Sequence, residues 1–234
     1  MFKLKKPATT AVVGTSIMVA LFSLATVASA AMVNVDFNKS GGGSGTYSGI
    51  GAASDTGTFW NGLTVAESGA TTSGALTASD GVTQTSFWIT LGASGGTDDQ
   101  SGEKQAGFAT KLLSDYTYGG DRAITINGLV AGEKYQVYFY SQNAGYISCY
   151  TKFTVGMLEE TADLGSNSAF VKNANYVVFP DITASAGGVI TGVVLPNGTT
   201  AIFNGFQISG PVPEPASLAL LGLGALALLR RRRN

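Results

Sequence analysis

The sequence contains no histidine and only one cysteine among its 234 residues. Without histidine the chain cannot build a Ser-His-Asp triad, a histidine-ligated zinc site or an imidazole general base. Because Cys149 is the only cysteine, no disulfide can form within the chain. We expect Cys149 to be buried in a strand as a small apolar side chain. Stability must therefore come from the core.

Charged residues are also scarce, at 12% of the chain. From Ala31 to Gly210 there are 7 basic and 14 acidic residues, a balance of 7 − 14 = −7, although the whole chain carries −1. The remaining basic residues lie near the two termini. A nucleic-acid-binding protein needs a basic surface to displace counterions from phosphate. The sequence therefore predicts no nucleic-acid partner.

The first 30 residues have the composition of a signal peptide. Three lysines precede an apolar stretch at 17–27, and Ala28 and Ala30 supply the small residues that signal peptidase recognises. We predict cleavage after Ala30, so that the exported chain begins at Ala31. A membrane anchor is the alternative, but the apolar stretch is short for one.

Short segments rich in alternating, β-branched or aromatic residues follow through the middle of the chain, which is typical of strands. We predict strands at 32–37, 86–91, 123–126, 135–140, 148–155, 176–179, 189–195 and 201–208, with weaker candidates at 59–65 and 75–77. The segment 107–115 is predicted to be a short helix or an irregular loop. This number and spacing of strands predict an all-β sandwich or jelly roll.

Two long loops, 41–57 and 92–102, separate predicted strands. The first is rich in glycine but does not lead from a strand into a helix, so it lacks the context of a phosphate-binding loop. We predict that it covers one sheet. At the second loop, the carboxylates Asp98, Asp99 and Glu103 are ligands of the kind that Ca²⁺ prefers. A possible Ca²⁺ site is one hypothesis, and solvated loop acids are the alternative. No other cofactor is predicted.

Acidic residues that could cleave a glycoside without histidine are scattered over the domain. They are Asp36, Asp55, Asp80, Asp115, Asp121 and Asp181. No two of them form a pair that is distinguished by spacing or setting, and turns account for Asp80 and Asp121. We therefore predict no catalytic residue.

Aromatic residues in the predicted loops 115–118 and 141–146 indicate a carbohydrate site. We place a shallow site at Tyr116, Tyr118, Asn143 and Tyr146, because exposed rings suit the C–H faces of sugars and amides suit their hydroxyl groups. Most other aromatic side chains are needed for the core. Of the neighbours Phe59 and Trp60, we expect one to point inward and the other outward.

The chain ends in VPEPASLALLGLGALALLRRRRN, which resembles the PEP-CTERM sorting signal. The motif residues are Val212, Pro213, Glu214 and Pro215, followed by an apolar run at 218–229 and by Arg230, Arg231, Arg232 and Arg233. The resemblance implies recognition by an exosortase, a membrane protease-transpeptidase. It further implies delivery to the envelope or to a biofilm matrix rich in exopolysaccharide, in a Gram-negative bacterium.

The physical properties of this tail agree with a sorting role. Twelve apolar residues rise ~18 Å as a helix, whereas the hydrocarbon core of a bilayer is ~30 Å thick. The arginines hold that end on the cytoplasmic side, and the prolines keep the motif extended, as a protease groove requires. We predict a short C-terminal helix that anchors the protein transiently in the membrane. A permanent single-span anchor is the alternative.

A second resemblance covers most of residues 31–210. The segments AMVNVDFN, TYSGIGAASDTGTFWNGL, ITINGLVAGEKYQVYFYS and AIFNGFQI are similar to sandwich modules of other PEP-CTERM proteins, which are themselves similar to galactose-binding-like jelly rolls. We divide the chain into a signal peptide (1–30), a sandwich domain (31–210) and a sorting segment (211–234). The expected partners are signal peptidase, exosortase and exopolysaccharide or a cell-surface glycan. The alternatives to a non-catalytic polysaccharide-binding protein are a polysaccharide hydrolase or lyase and a purely structural surface or adhesion protein.

Overall fold

In the part of the chain that the structure describes, the regular secondary structure is almost entirely β-strand, with a single short helix. The computed structural model describes residues 29–43, 45–54, 57–93, 95–99, 110–143, 148–163 and 169–212. In chain order the elements are β1 (Ser29–Asn38), β2 (Asn61–Thr64), β3 (Thr71–Thr72), β4 (Trp88–Leu91), β5 (Gly96–Asp99), α1 (Thr110–Ser114), β6 (Asp115–Gly119), β7 (Arg122–Asn127), β8 (Lys134–Tyr140), β9 (Thr151–Val155), β10 (Leu158–Ala162), β11 (Tyr176–Thr183), β12 (Ile190–Pro196), β13 (Ala201–Phe203) and β14 (Gly205–Val212). Within these ranges, no helix has the length and apolar character to cross a membrane.

Two sheets pack against each other around one apolar core. The first has the strand order β11-β8-β14-β1-β2, and the second has the order β10-β9-β12-β7-β4-β3. Between the sheets, the rings of Phe139 in β8 and Phe153 in β9 pack with their centroids 5.0 Å apart. The predicted all-β sandwich is confirmed. Its galactose-binding-like subtype remains a prediction.

Alternation of side chains explains why these segments form the sandwich. In β7, Ile124 and Ile126 are buried, while Ala123, which precedes Ile124, is exposed. In β9, Phe153 and Val155 face the core, and Thr154 between them is only half-buried. Such two-residue periodicity places one set of side chains on each face of a strand. Each predicted main strand overlaps a strand of the structure.

Several local predictions are wrong. The loop predicted at 92–102 contains β5, the loop predicted at 115–118 is β6, and no strand of the sheets covers 75–77. The predicted strand 201–208 is divided at Asn204 into β13 and β14. Cys149 is buried as predicted, at 4% exposure, but it precedes the first residue of β9. Strands β3, β5, β6 and β10 had no clear alternation in the sequence, so periodicity did not reveal them.

The glycine-rich segment after β1, residues 41–57, covers the outer face of the first sheet, as predicted. We call it the covering segment. Tyr47 donates its backbone N–H to the Asp36 carboxylate (2.7 Å), and Ala53 donates to the Gln207 side chain (3.0 Å). Trp60 is buried and donates its indole N–H to the Gly49 carbonyl (2.8 Å), while Phe59 is 40% exposed. The expected inward and outward orientation of this aromatic pair is therefore confirmed.

A third sheet has three strands in the order β13-β6-β5, and its strand β13 contacts β9 and β12 of the second sheet. Gly205, at the start of β14, lets this region approach β1 closely, because a Cβ there would lie 2.3 Å from the Val35 carbonyl oxygen. Asn204, just before it, is fully buried and connects three segments. Its side chain donates to the Asp115 carbonyl (2.9 Å) and accepts the N–H of Gln142 (2.6 Å).

Candidate functional site

One cavity brings together residues of both sites that the sequence predicted. It has a volume of about 420 Å³, within the ~300–1,000 Å³ typical of ligand sites. We call it the Tyr118 cavity; it is lined by Asp98, Tyr116, Tyr118, Asn143, Cys149, Thr199, Thr200 and Ile202. Of the predicted carbohydrate residues, Tyr116, Tyr118 and Asn143 line it, whereas Tyr146 lies outside the described residues. The predicted metal ligand Asp98 lies in the same wall.

The two tyrosines project from one face of β6. They are two residues apart on a strand, and their ring centroids are 6.3 Å apart in an edge-to-face arrangement. Tyr116 is buried at 2% exposure and packs with Cys149 and Ile202, so it forms part of the floor. Tyr118 is 37% exposed. The cavity therefore has an apolar floor and one accessible aromatic ring.

Gly96 on the neighbouring strand β5 makes room for the Tyr118 side chain. It pairs with Tyr118 in the sheet, and a Cβ at position 96 would lie 2.5 Å from the Tyr118 hydroxyl oxygen. Any larger residue would push the ring away from this position. Gly96 is thus a positioning residue that the sequence analysis missed, because its partner strand was predicted to be a loop.

Buried polar side chains fix the small sheet to the sandwich. Arg122 of β7 is 2% exposed and donates to the Thr117 hydroxyl (2.8 Å) and the Ala201 carbonyl (3.1 Å). Burial lowers the pKa of Arg122 to about 10, which leaves the guanidinium charged at neutral pH. Thr151 of β9 accepts the N–H of Ile202 at 2.7 Å. The cavity walls are therefore attached to the rigid second sheet.

The rim of the cavity is polar. Thr200 donates its hydroxyl to the Gly119 carbonyl (3.1 Å), and Thr199 donates to the Ser148 carbonyl (3.2 Å). Each hydroxyl oxygen keeps lone pairs that can accept a further hydrogen bond. With the Asn143 amide and the Asp98 carboxylate, the rim combines donors and acceptors around an aromatic ring. This combination suits a ligand that has an apolar face and several hydroxyl groups.

Asp98 is held in the wall by its neighbours. Its Oδ2 accepts the Tyr116 hydroxyl (3.1 Å), its Oδ1 accepts the Asp99 N–H (2.8 Å), and Lys39 Nζ lies 3.7 Å from Oδ1. Asp98 and Asp99 are consecutive in β5, so their side chains leave opposite faces of the strand. Glu103 lies outside the described residues. Within the ranges given above, no group of three or more acidic or cysteine side chains could hold a metal ion. The calcium hypothesis therefore remains a prediction.

A second, more open groove of about 830 Å³ lies beside the covering segment. Phe59 and Trp60 contribute to its lining, together with Asp80. The Asp80 carboxylate is used within its own turn, where it accepts the N–H groups of Val82 and Thr83 (both 2.8 Å) and the Thr83 hydroxyl (2.6 Å). These bonds, that of the Thr83 hydroxyl foremost, lower the pKa of Asp80. The expectation that turn geometry accounts for Asp80 is confirmed.

The structure also reveals a buried acidic region that the sequence analysis missed. Asp36 and Asp115 are both fully buried, and the charge of Asp115 acts on Asp36. Burial, above all, raises the pKa of Asp36 to about 8; the Tyr47 N–H opposes this rise, Asp115 adds to it, and Lys111 opposes it. Neither carboxyl lines the Tyr118 cavity. Because 78 residues separate them in the chain, only the fold could reveal the pair.

Comparison with known proteins identifies the end of the chain. Residues 211–233 match the family model of the PEP-CTERM protein-sorting motif, which confirms the predicted motif. This match supports export and processing by an exosortase, which is a membrane protein, with transient anchoring through the tail. Val212 ends β14, whereas Pro213, Glu214, Pro215, the four arginines and the predicted C-terminal helix lie outside the described residues.

The comparison with solved structures is much weaker. The chain is similar to the K1 cleaved adhesin domain of Lys-gingipain from Porphyromonas gingivalis W83, at 15% sequence identity. The match covers 61% of this chain and 88% of that one, with a TM-score of 0.27. No curated protein is a significant match. A likeness this distant carries no argument about function.

Proposed function

We propose that this protein is a non-catalytic surface protein that binds polysaccharide in the Tyr118 cavity after its export. The observation that carries the proposal is the Tyr118 ring, which is exposed above an apolar floor and surrounded by a polar rim. A sugar ring has an apolar C–H face and a belt of hydroxyl groups. Stacking on Tyr118, with hydrogen bonds to Asn143 and Thr200, satisfies both kinds of surface.

The sorting motif supports the same function from a different direction. The motif directs a protein to the outside of the cell, where extracellular polysaccharide is an available ligand. The acidic character of residues 31–210 disfavours nucleic acid as a partner. Because the cavity wall is attached through Arg122 and Thr151 to the second sheet, the binding surface is ordered before the sugar arrives. Such preorganisation reduces the entropy lost on binding.

A glycan array probed with the secreted protein tests this proposal. We expect retention of a restricted set of oligosaccharides by the wild type and a loss of at least about tenfold in Tyr118→Ala, which corresponds to ~1.4 kcal/mol. Unchanged retention by Tyr118→Ala would contradict the site. An array with no positive spot would instead favour a purely structural surface protein.

A polysaccharide hydrolase or lyase is the alternative function. The buried acids Asp36 and Asp115 do not support it, because catalytic carboxyls must reach the glycosidic bond and both side chains are fully buried. Release of reducing sugar from the polysaccharide of the producing bacterium distinguishes the two functions. We expect no release above a blank without protein. Clear release of reducing sugar would favour the hydrolase or lyase over the non-catalytic binding protein.

A further inference from the structure

The first and last strands bring the predicted signal-cleavage site next to Val212, the first residue of the sorting motif. β1 and β14 are antiparallel, and their outermost pairs are Ser29 with Val212 and Ala30 with Pro211. In the sequence, Ala30 is the last residue of the predicted signal peptide, and Pro213 directly follows Val212. The Pro-Glu-Pro triplet therefore follows the last residue of β14 directly in the sequence.

The final residues of β14 are paired with a neighbouring strand on one side only. On one side, the pairing with β8 ends at Ser209, opposite Gln136. On the other side, the pairing with β1 continues to Val212. Within the described residues, the strand partners of Pro211 and Val212 are thus Ala30 and Ser29 alone. Both of these partners belong to the predicted signal peptide.

Two further contacts hold the same end of β14. The Tyr135 hydroxyl donates to the Pro211 carbonyl (2.7 Å) and accepts the Val130 N–H (2.8 Å). Val212 is 6% exposed and belongs to the main apolar core. The first residue of the sorting motif is therefore part of the folded sandwich in the uncleaved chain.

We propose that removal of the signal peptide releases the sorting motif, so that the two proteolytic steps occur in a fixed order. The proposal rests on cleavage after Ala30 and on sorting by an exosortase. Hydrolysis breaks the Ala30–Ala31 peptide bond, with water supplying OH to the Ala30 carbonyl carbon and H to the Ala31 nitrogen. Pro211 and Val212 then lose their β1 partners and keep only the Tyr135 hydrogen bond and the packing of Val212. The chain end can leave the sheet and enter a protease groove as an extended peptide.

The test uses the full chain, produced in a bacterium that has an exosortase, and follows both ends by mass spectrometry. Ala28→Tyr blocks signal cleavage without changing Ser29 or Ala30, because signal peptidase requires a small residue at this position. We expect C-terminal processing of this variant to be at least about tenfold slower than that of the wild type. A second variant combines Ala28→Tyr with six Gly/Ser residues inserted between Val212 and Pro213. This insertion moves the motif away from the sheet, and we expect it to restore processing to within about twofold.

The outcomes separate the order of cleavage from the sorting itself. If Ala28→Tyr is processed at the wild-type rate, the proposed order is wrong. If the inserted residues do not restore processing, loss of access within the sheet is not the cause of the block, and the proposal is again wrong. The insertion in an otherwise wild-type chain serves as the matched control and should be processed at the wild-type rate. A wild-type chain that still ends at Asn234 would contradict exosortase cleavage, and the proposed order with it.

Discussion

The first sheet of the sandwich buries apolar rings on its inner face and a hydrogen-bonded polar network on its outer face. On the inner face, Phe139 packs against Phe153, Phe179, Phe203 and Phe206 with ring centroids 5.0–6.4 Å apart. On the outer face, the polar network consists of Asn34, Asp36, Tyr140 and Gln207, all at most 1% exposed. Burial alone does not distinguish the two faces. Their chemistry does.

The polar network depends on complementary geometry rather than on apolar area. Gln207 donates to the Asn34 Oδ1 (2.8 Å), and its own Oε1 accepts the Ala53 N–H (3.0 Å) and the Tyr140 hydroxyl. Asn34 in turn donates to the Phe59 carbonyl (2.9 Å). A polar group left unpaired in such a place costs ~1–3 kcal/mol. In the polar network, the loss of a single hydrogen-bond partner is therefore enough to destabilise the covering segment. In the apolar core, the loss of stability instead increases with the side-chain volume that a substitution removes.

The largest loss of stability is expected from a substitution at the centre of the inner face. Phe139→Ala removes a fully enclosed ring and leaves a cavity, which we expect to lower the free energy of unfolding by ~4 kcal/mol. Denaturant titration measures this loss. The matched control is Phe59→Ala, on a ring that is 40% exposed, which should change stability by less than ~0.5 kcal/mol. Equal effects of the two variants would contradict the assignment of Phe139 to the core.

The pH dependence of stability tests the outer face. Asp36 has a pKa of about 8 in the folded protein against 3.8 in a model peptide, so the folded state binds the proton more tightly than the unfolded state does. The contribution of protonated Asp36 to the free energy of unfolding is fully present below pH ~4 and is lost as the pH rises to about 8. By linkage the two pKa values set an upper limit of ~6 kcal/mol on this loss, and we expect a few kcal/mol of it to be observed, because water that enters the site solvates part of the charge.

Asp36→Asn should abolish that pH dependence, because its amide oxygen can still accept the Tyr47 N–H while carrying no charge. We expect the variant to exceed the wild type in stability at pH 8 and to lose the advantage below pH 4. Thermal unfolding at several pH values provides the comparison. Parallel pH profiles for the two proteins would show that Asp36 titrates normally and that the surrounding groups, Asp115 and Lys111 included, do not perturb it.

Removal of the Gln207 amide, at the centre of the polar network, should lower the stability slightly less than ionisation of Asp36 does. Gln207→Leu keeps the volume of the side chain but leaves Asn34 Oδ1 and the Ala53 N–H without their partner and the Tyr140 hydroxyl without its acceptor. We expect a loss of ~2 kcal/mol in denaturant titration. Gln84→Leu is the control, since Gln84 is exposed and donates to the Thr77 hydroxyl. If Gln207→Leu is as stable as the wild type, the outer face is held by apolar contacts instead.

The sequence predicted the inner face well because alternation determines it. Val33, Val35 and Phe37 alternate along the predicted strand 32–37, and all three are fully buried. The outer face could not be predicted in this way, since Asn34 and Asp36 are typical of a solvated face. Only the covering segment, whose contacts include pairs 88 and 154 positions apart in the sequence, turns that face into an interior.

The candidate site was predicted in part for a related reason. Tyr116, Tyr118 and Asn143 were identified from residue chemistry, and the structure places them in one cavity. Their setting was wrong, because Tyr116 and Tyr118 lie on a strand and not in a loop. The remaining lining residues, such as Cys149 and Ile202, are ordinary core residues in the sequence. Their role appears only when β13 pairs with β6.

The smallest expected effect on stability belongs to Tyr118, and the same variant tests the central claim most directly. Tyr118→Ala and Phe59→Ala each remove one exposed ring, the first from the Tyr118 cavity and the second from the open groove. The measurement is retardation of both variants in gels that contain the polysaccharide of the producing bacterium. We predict that Tyr118→Ala loses at least about tenfold in affinity and changes stability by less than ~0.5 kcal/mol, while Phe59→Ala binds as the wild type does. Loss of binding in Phe59→Ala with full retention in Tyr118→Ala would contradict the account.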